Sequence, residues 1–219
     1  MDAPEHSPQD PMNIPEHMPH PMDAPADPFR VWLRALEPED APVIYRWRND
    51  PGYLSGVESI KRYISTETEK RWIHQAIRNH EEKRVVRLGI VLKATDELIG
   101  MVHLSNIDHV SRHANVGSLI GEPRHRGKGY VAEARFLLFE YGFMELGLQC
   151  ISTRILASNT ASIRSAERFG YVKEGVLRRR IYKEGSFQDL IAYSMLREEF
   201  MKKREAWRSR VAGPAREET

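Results

Sequence analysis

The segment 121–130, Gly-Glu-Pro-Arg-His-Arg-Gly-Lys-Gly-Tyr, constrains the fold of this chain more than any other stretch. The apolar and small residues 114–120 before it predict a buried strand, and the pattern of residues 130–146 after it predicts a helix. The first N–H groups of a helix lack intrahelical acceptors, and the helix dipole places partial positive charge beside them. Gly127 and Gly129 have no Cβ atom, so a bulky ligand can approach the backbone. The segment therefore predicts a phosphate or pyrophosphate site at a helix N-terminus.

Three cations in the same segment, Arg124, Arg126 and Lys128, can neutralise a bound anion. Two other phosphate-binding patterns do not fit. A P-loop requires Ser or Thr directly after its Gly-Lys pair, whereas Gly129 follows Lys128. A dinucleotide-binding fingerprint could accept Ala132 as its third small residue, but it belongs at the start of a βαβ unit, and this segment lies mid-chain after several predicted strands. A basic surface turn that merely begins a helix remains the alternative.

The composition predicts one domain of ordinary size with tails, and it excludes several other classes of protein. Of the 219 residues, 41% are hydrophobic and 29% are charged, and the net charge of +2 is too small for general binding to nucleic acid. No run reaches the roughly 18 apolar residues of a membrane span, and the acidic, proline-rich start is unlike a signal peptide. The single cysteine, Cys150, excludes an internal disulfide. We therefore expect a cytoplasmic protein with no membrane or nucleic-acid partner.

The chain divides into three parts. Residues 1–28 are rich in Pro, Met and His, and they predict a disordered tail, because prolines every few residues block helix and sheet. Residues 29–200 carry the periodic patterns of one domain, and residues 201–219 predict the end of a charged helix and a frayed tail. The tail histidines His6, His17 and His20 are expected to be solvated, so no metal site is predicted.

Hydrophobic periodicity and turn residues predict the elements of the domain. Ser65 is a typical helix N-cap, either Asn159 or Thr160 can cap another helix, and Gly170 is a typical helix end. The order β-α-α-β-β-β-α-β-α-β-β predicts a mixed α/β domain around one twisted sheet, with helices on both faces. Strands are predicted at 29–35, 84–92, 97–107, 113–120, 150–156, 171–182 and 186–196, and helices at 38–48, 66–79, 130–146, 160–169 and 197–208.

Two motifs, in this order, resemble the GCN5-related N-acetyltransferases (the GNAT superfamily). The acetyl-CoA motif of that family, Gln/Arg-x-x-Gly-x-Gly/Ala, is matched by Arg124, Gly127 and Gly129. A second family segment, N-x-x-S … E-K-x-G-F-x-x-E-G, is similar to residues 159–175. The resemblance covers about residues 30–200. The most similar branch holds ribosomal-protein N-terminal, spermidine and amino-sugar acetyltransferases. Residues 47–51 and 104–108 look most like members that acetylate nucleotide-linked amino sugars.

The resemblance implies the GNAT fold and acetyl-CoA as cosubstrate. Backbone N–H groups of residues 126–130 would hold the pyrophosphate, aided by nearby cations. The backbone of Leu119 and Ile120 would pair with the pantetheine arm, where the fourth and fifth strands diverge. Asn159 would contact the cofactor near its thiol. The cofactor-binding residues so implied are Leu119, Ile120, Arg124, Arg126, Gly127, Lys128, Gly129, Tyr130 and Asn159.

The sequence departs from the family at two catalytic positions. Many relatives carry a tyrosine seven residues after the asparagine as the acid for the thiolate; that position is Ala166 here. Ser162 is the nearest replacement donor, although it can equally help to cap a helix. Many relatives also carry a glutamate base on the fourth strand, where this chain has Asn115, and an amide cannot take a proton. Ser162 and Asn159 are thus the predicted catalytic residues, and the base is left open among His103, Asp108, His109 and His113, or is absent.

These features predict an acetyl-CoA-dependent N-acetyltransferase, an acyltransferase that moves an acetyl group directly to a primary amine. The acceptor is left open between an amino sugar, a protein N-terminus and another small amine. Tyr182 and Asp189 of the last hairpin are expected to line its pocket. A homodimer is also left open. Because the family's tyrosine and glutamate are missing, a non-catalytic acyl-CoA-sensing module remains the alternative.

Overall fold

A computed structural model describes residues 28–54 and 63–211 of the chain. Its strands are β1 (Val31–Ala35), β2 (Val86–Leu92), β3 (Leu98–Asp108), β4 (His113–Ile120), β5 (Cys150–Leu156), β6 (Val172–Lys183) and β7 (Ser186–Leu196). They form one seven-stranded sheet in the order β1-β2-β3-β4-β5-β7-β6. Only β4 and β5 pair in parallel, and every other neighbouring pair is antiparallel. The predicted mixed sheet is confirmed.

Helices cover both faces of the sheet. They are α1 (Ala41–Asn49), α2 (Pro51–Leu54), α3 (Thr66–Glu81), α4 (Tyr130–Glu140), α5 (Thr160–Phe169) and α6 (Arg197–Val211), with 3-10 turns at Pro38–Asp40 and Pro123–His125. One face packs the aromatic side chains of α4, α5 and α6 into a large core that includes Phe136, Phe169 and Phe200. The other face buries Ile44 of α1 and Ile73 of α3 in a smaller core.

Local capping explains where two of the helices begin. The Ser65 hydroxyl accepts a hydrogen bond from the Thr68 N–H at 3.1 Å, so it caps α3 as predicted. Asn159 caps α5 through its side-chain oxygen. Gly170 ends α5 with a φ of 98°, a left-handed conformation that favours glycine.

Some boundaries differ from the prediction. The predicted helix 130–146 is α-helical only to Glu140 and ends in a π-helical turn, Tyr141–Glu145. A Cβ on Gly142 would lie 3.0 Å from the Ile151 side chain, so this turn packs directly on the sheet. Between the predicted helices 38–48 and 66–79 the chain forms the short α2, and residues 55–62 lie outside the described residues.

Of the predicted tail 1–28, only Pro28 is described. Residues 212–219 of the predicted C-terminal tail also lie outside the described ranges. Within those ranges, no helix has both the length and the apolar character needed to cross a bilayer. The same ranges contain no cluster of three or more His, Cys, Asp or Glu side chains arranged to hold a metal ion.

The central feature of the sheet is a gap between β4 and β5. These strands pair only at His113–Cys150, Ala114–Ile151 and Asn115–Ser152. Beyond that point β4 stays paired with β3 as far as Ile120, and β5 stays paired with β7 as far as Leu156. The two strands therefore diverge along the rest of their length, as the resemblance implied.

Candidate active site

The segment 121–130 follows β4 and leads into α4 at the open end of the gap. After the 3-10 turn, Gly127 and Gly129 have φ angles of 77° and 88°, which L-residues with a side chain rarely adopt. A Cβ on Gly127 would meet no atom within 4 Å, so the backbone there faces open space. Gly129 is the N-cap of α4. The two glycines are thus required by the shape of the loop.

Four consecutive backbone N–H groups in this loop are available to a ligand. Those of residues 127–130 donate to no acceptor among the described residues. The first bond of the helix runs from the Ala132 N–H to the Gly129 carbonyl at 2.9 Å. The prediction that the Arg126 amide is also available is wrong, because it donates to the Pro123 carbonyl at 3.1 Å and closes the 3-10 turn. The amide run therefore begins one residue later than predicted.

The three cations of the loop have different surroundings. The Arg124 guanidinium pairs with the Glu97 carboxylate on the β2–β3 turn. Arg126 points back along the chain and donates to the carbonyls of Ile120 at 3.2 Å and Gly121 at 3.0 Å. The Lys128 ammonium has no ion-pair partner in the described part of the chain, and its side chain is exposed. Only Lys128 is therefore unengaged beside the amide run, whereas Arg126 holds the loop to the end of β4.

Arg30 and Glu133 hold the loop in position, although the sequence analysis did not identify them. Glu133, in the first turn of α4, is only 3% exposed. It accepts two hydrogen bonds of 2.7 Å from Arg30, one from the backbone N–H and one from Nε. The Arg30 Nη2 also donates to the Lys128 carbonyl at 2.8 Å, and its guanidinium lies 4.6 Å from the Tyr130 ring centroid. A buried carboxylate thus fixes the cation that orients the amide run. An acidic residue in a first helical turn is ordinary, so no sequence signal links these residues.

A second support comes from α1. A Cβ on Gly121 would lie 2.0 Å from the Trp47 ring, so only glycine allows the buried indole to pack against the loop. The Trp47 Nε1 donates to the Glu122 carboxylate at 3.0 Å, and the Arg46 Nη2 donates to the same oxygen at 2.8 Å. The loop is therefore anchored to α1 as well as to α4.

The backbone of Leu119 and Ile120 lies on β4 beyond its last pair with β5, and so it borders the gap. The Ile120 carbonyl already accepts from Arg126, whereas the Leu119 carbonyl is directed at Gly100 of the neighbouring β3. The structure thus places both residues on the strand that borders the gap, with one carbonyl engaged and the other directed away from the gap.

Asn159 and Ser162 lie at the start of α5, directly after β5. The Asn159 Oδ1 accepts from the Ser162 N–H at 3.0 Å, so Asn159 is the residue that caps the helix. The Ser162 hydroxyl is half-buried and has no hydrogen-bond partner among the described residues, so its capping role is excluded there. Ala166, where many relatives carry a tyrosine, is fully buried in the large core.

Of the candidate bases, three are poorly suited to accept a proton in the gap. Burial is the larger cause, and the positive charge of Arg87 the smaller, that together lower the pKa of His103 to about 4. Asp108 accepts from the Val110 and Ser111 N–H groups at 2.8 Å each, and these bonds lower its pKa. His109 is exposed on the same turn.

The fourth candidate, His113, belongs to a hydrogen-bond chain where the gap begins. Its Nε2 lies 2.8 Å from the Ser152 Oγ, which lies 2.8 Å from the Asn115 Oδ1. Asn115 and Ser152 form the last pair before β4 and β5 diverge. The sequence analysis named His113 and Asn115 but missed Ser152, because only the parallel pairing brings it beside them.

Comparison with known proteins shows the family to which this fold belongs. Residues 30–172 match the family model described as Acetyltransferase (GNAT) domain. The chain belongs to the GNAT acetyltransferase family. It is 30% identical over 168 residues to the SPbeta prophage-derived uncharacterized N-acetyltransferase YokL of Bacillus subtilis, an alignment that covers 77% of this chain and 90% of YokL. It is 33% identical over 173 residues to the uncharacterized N-acetyltransferase YoaA of the same organism, which covers 77% of this chain and 94% of YoaA.

Solved structures share the fold of this GNAT protein. The crystal structure of spermidine N-acetyltransferase from Vibrio cholerae in complex with CoA and spermine superimposes with a TM-score of 0.72, covering 78% of this chain and 98% of that one, at 24% identity. Together with the family match, the named relatives show that the GNAT protein is an N-acetyltransferase.

Proposed function

We propose that this GNAT protein binds acetyl-CoA through the amide run 127–130 and transfers the acetyl group directly to a primary amine in the gap between β4 and β5. The observation that carries this proposal is the position, at the open end of that gap, of four N–H groups that find no acceptor in residues 28–54 and 63–211. Main-chain donors at a helix N-terminus suit a pyrophosphate, and Lys128 adds a cation. Arg124 can assist at the periphery, although it shares its charge with Glu97.

The gap would then hold the pantetheine arm. The edge of β4 at Leu119 and Ile120 is not covered by β5, so its backbone can pair with an extended ligand. The arm would run along this edge from the pyrophosphate toward the point where the strands join. The thiol would lie near the start of α5, beside Asn159 and Ser162.

Ser162 is our candidate acid for the departing thiolate. An amine that attacks the thioester carbonyl forms a tetrahedral intermediate, and its collapse releases a thiolate that needs a proton or a hydrogen bond. The Ser162 hydroxyl has no other partner within the described residues, and Asn159 fixes the backbone that carries it. An α-amine, with a pKa of about 7.7–8.0, is partly neutral at pH 7, whereas a lysine amine, near 10.4, is almost entirely charged. The proposed acceptor is therefore a weakly basic primary amine, such as an amino sugar or a protein N-terminus.

Release of free thiol from acetyl-CoA, measured with a panel of amines, tests this function. We expect turnover with at least one amine and a thermal shift on addition of CoA. A thermal shift without product from any amine would instead support the non-catalytic acyl-CoA-sensing module. The absence of both would refute the cofactor site.

A further inference from the structure

We propose that the acceptor of this GNAT protein carries an anionic group, a phosphate or carboxylate, and that Arg178, Arg179 and Arg180 of β6 bind it. This inference rests on the proposed acetyl transfer and names the chemical class of its acceptor. The relevant feature is a bulge in the β6–β7 hairpin that the sequence analysis did not identify.

The bulge places three arginines opposite one residue. Leu177 pairs with Leu190 and Ile181 pairs with Gln188, so residues 178–180 stand against Asp189 alone. Arg179 adopts a φ of 46°, an uncommon conformation for a residue with a side chain. Bulges of this kind redirect side chains and often lie beside functional sites. The surrounding open pocket has a volume of about 730 Å³ and is lined by Val176, Leu177, Arg178, Arg179, Arg180 and Asp189.

The pocket is strongly cationic. All three arginines are exposed, and none of their guanidinium groups forms an ion pair or hydrogen bond with the rest of the described chain. The single carboxylate in the lining, that of Asp189, accepts a hydrogen bond from the Arg179 backbone N–H at 2.7 Å. Three guanidinium groups against one carboxylate leave a surplus of positive charge. Guanidinium groups bind phosphate and carboxylate through paired hydrogen bonds.

The pocket lies beside the candidate catalytic residues. The Asp189 carbonyl accepts from the Ala157 N–H at 3.0 Å, on the turn between β5 and α5. The neighbouring Ser158 Oγ lies 3.4 Å from the Gln188 Oε1. Asn159 follows on the same turn, and Ser162 lies in the first turn of α5. An acceptor whose anionic group binds the bulge can therefore extend its amine toward the gap, whereas a polyamine would meet like charge.

Matched amines test this proposal. The first pair compares kcat/KM for glucosamine and for glucosamine 6-phosphate. The second pair compares kcat/KM for a peptide with a neutral N-terminal sequence and for a peptide with an N-terminal sequence rich in Glu. Spermidine serves as the cationic amine. We expect at least a tenfold preference for the anionic member of one pair, and poor turnover of spermidine. Preference within the sugar pair would identify a phosphorylated small molecule, and preference within the peptide pair an acidic protein N-terminus.

Replacing Arg178, Arg179 and Arg180 together by Gln should remove the preference by raising KM for the anionic amine, with little effect on the neutral one. The triple replacement by Lys, which keeps the charge, should retain part of it. Arg84→Gln, an exposed arginine between α3 and β2, is the control. Equal kcat/KM within both pairs, or a preference that survives the Gln triple variant, would overturn the anionic acceptor while leaving acetyl transfer intact. No turnover of any amine would instead refute the proposed function and this acceptor with it.

A separate observation assigns a route for the proton that the amine loses. We infer that Ser152 passes this proton to His113, which also rests on the proposed acetyl transfer. The Ser152 hydroxyl lies 2.8 Å from both the His113 Nε2 and the Asn115 Oδ1, so it can turn from one to the other. The N–H bond of the attacking nitrogen breaks, and its proton passes to the Ser152 Oγ, directly or through water. At the same time the Ser152 hydroxyl proton moves to the His113 Nε2 and forms an imidazolium. His113 is half-buried, so the proton can then pass to solvent.

The strand pairing and the sequence place three titratable residues next to His113. Asp108 lies opposite it on β3. Cys150 lies opposite it on β5, and burial raises the pKa of that thiol, which therefore stays neutral at pH 7. Arg112 precedes His113, but its Nε donates to the Gly147 carbonyl at 2.7 Å.

The pH profile of kcat tests the relay. We expect His113→Gln to lose roughly 10²-fold of kcat and to differ from the wild type in the pH profile of kcat. Ser152→Ala should lower kcat similarly without a large change in KM. Ser105→Ala is the control, because the Ser105 hydroxyl donates to the Asn115 backbone carbonyl at 3.5 Å and not to the side chains of the relay. An unchanged pH profile in an active His113→Gln variant would overturn the relay.

Discussion

Replacing Gly127 by alanine separates the conformational strain of the loop from its capacity to bind a cofactor. Gly127 has a φ of 77°, and a Cβ there would meet no atom within 4 Å. Gly185, in the turn between β6 and β7, has a φ of 79° and the same open surroundings. Gly185→Ala is therefore a matched control for the strain.

The two variants should differ in binding and agree in stability. An L-residue in this left-handed conformation costs about 1–2 kcal/mol, so both variants should lose that much free energy of unfolding. Only Gly127 begins the amide run 127–130, so only its new methyl group enters the space proposed for pyrophosphate. Hydrogen bonds to a charged group contribute about 1.5–3 kcal/mol each. Loss of two of them predicts a Kd for CoA that is weaker by roughly 10²–10⁴-fold.

Isothermal titration with CoA and urea unfolding measure the two quantities. We expect Gly127→Ala and Gly185→Ala to have similar free energies of unfolding, and only Gly127→Ala to bind CoA poorly. Equal Kd values for the two variants would show that the amides of residues 127–130 do not hold the pyrophosphate.

Three further variants test other parts of the structure. The pKa of His103 is about 4 in the folded protein and about 6.5 in the unfolded chain, so the unfolded chain takes up the proton first as pH falls. The free energy of unfolding should therefore fall by up to about 3 kcal/mol between pH 6.5 and pH 4. His103→Gln should reduce this pH dependence, measured by urea unfolding. Gly121→Ala places a Cβ 2.0 Å from the Trp47 ring and should lower the free energy of unfolding by about 1–3 kcal/mol. Ser162→Ala should reduce kcat by about 10²-fold while the Kd for CoA stays unchanged.

Each of these expectations has a clear contrary result. The same pH slope in His103→Gln and the wild type would mean that the imidazole titrates normally in the fold. Full stability of Gly121→Ala would mean that Trp47 moves without cost. An unaltered kcat in Ser162→Ala would mean that the thiolate leaves without help from this hydroxyl.

Much of the fold could be predicted from local signals. Apolar runs and turn residues predicted every strand of the sheet to within a few residues. Ser65 correctly predicted the start of α3, and Asn159, one of two candidate caps, is the residue that begins α5. The glycines of the loop predicted an exposed backbone after β4, because the need for a positive φ and for close approach acts on a single residue. The end of α4 was less predictable, since its π-helical turn depends on how Gly142 packs against the sheet.

Local sequence was therefore sufficient to predict the order of the elements, the caps and the glycine-rich turn at the start of α4, since these depend on residues only a few positions apart. Which groups are available for chemistry depends instead on contacts between distant segments. It places Arg30 on Glu133, 103 positions away, and directs Arg126 to the end of β4. It also brings Ser152 beside Asn115. Such contacts arise from strand pairing and helix packing between distant segments, and local periodicity carries no information about them.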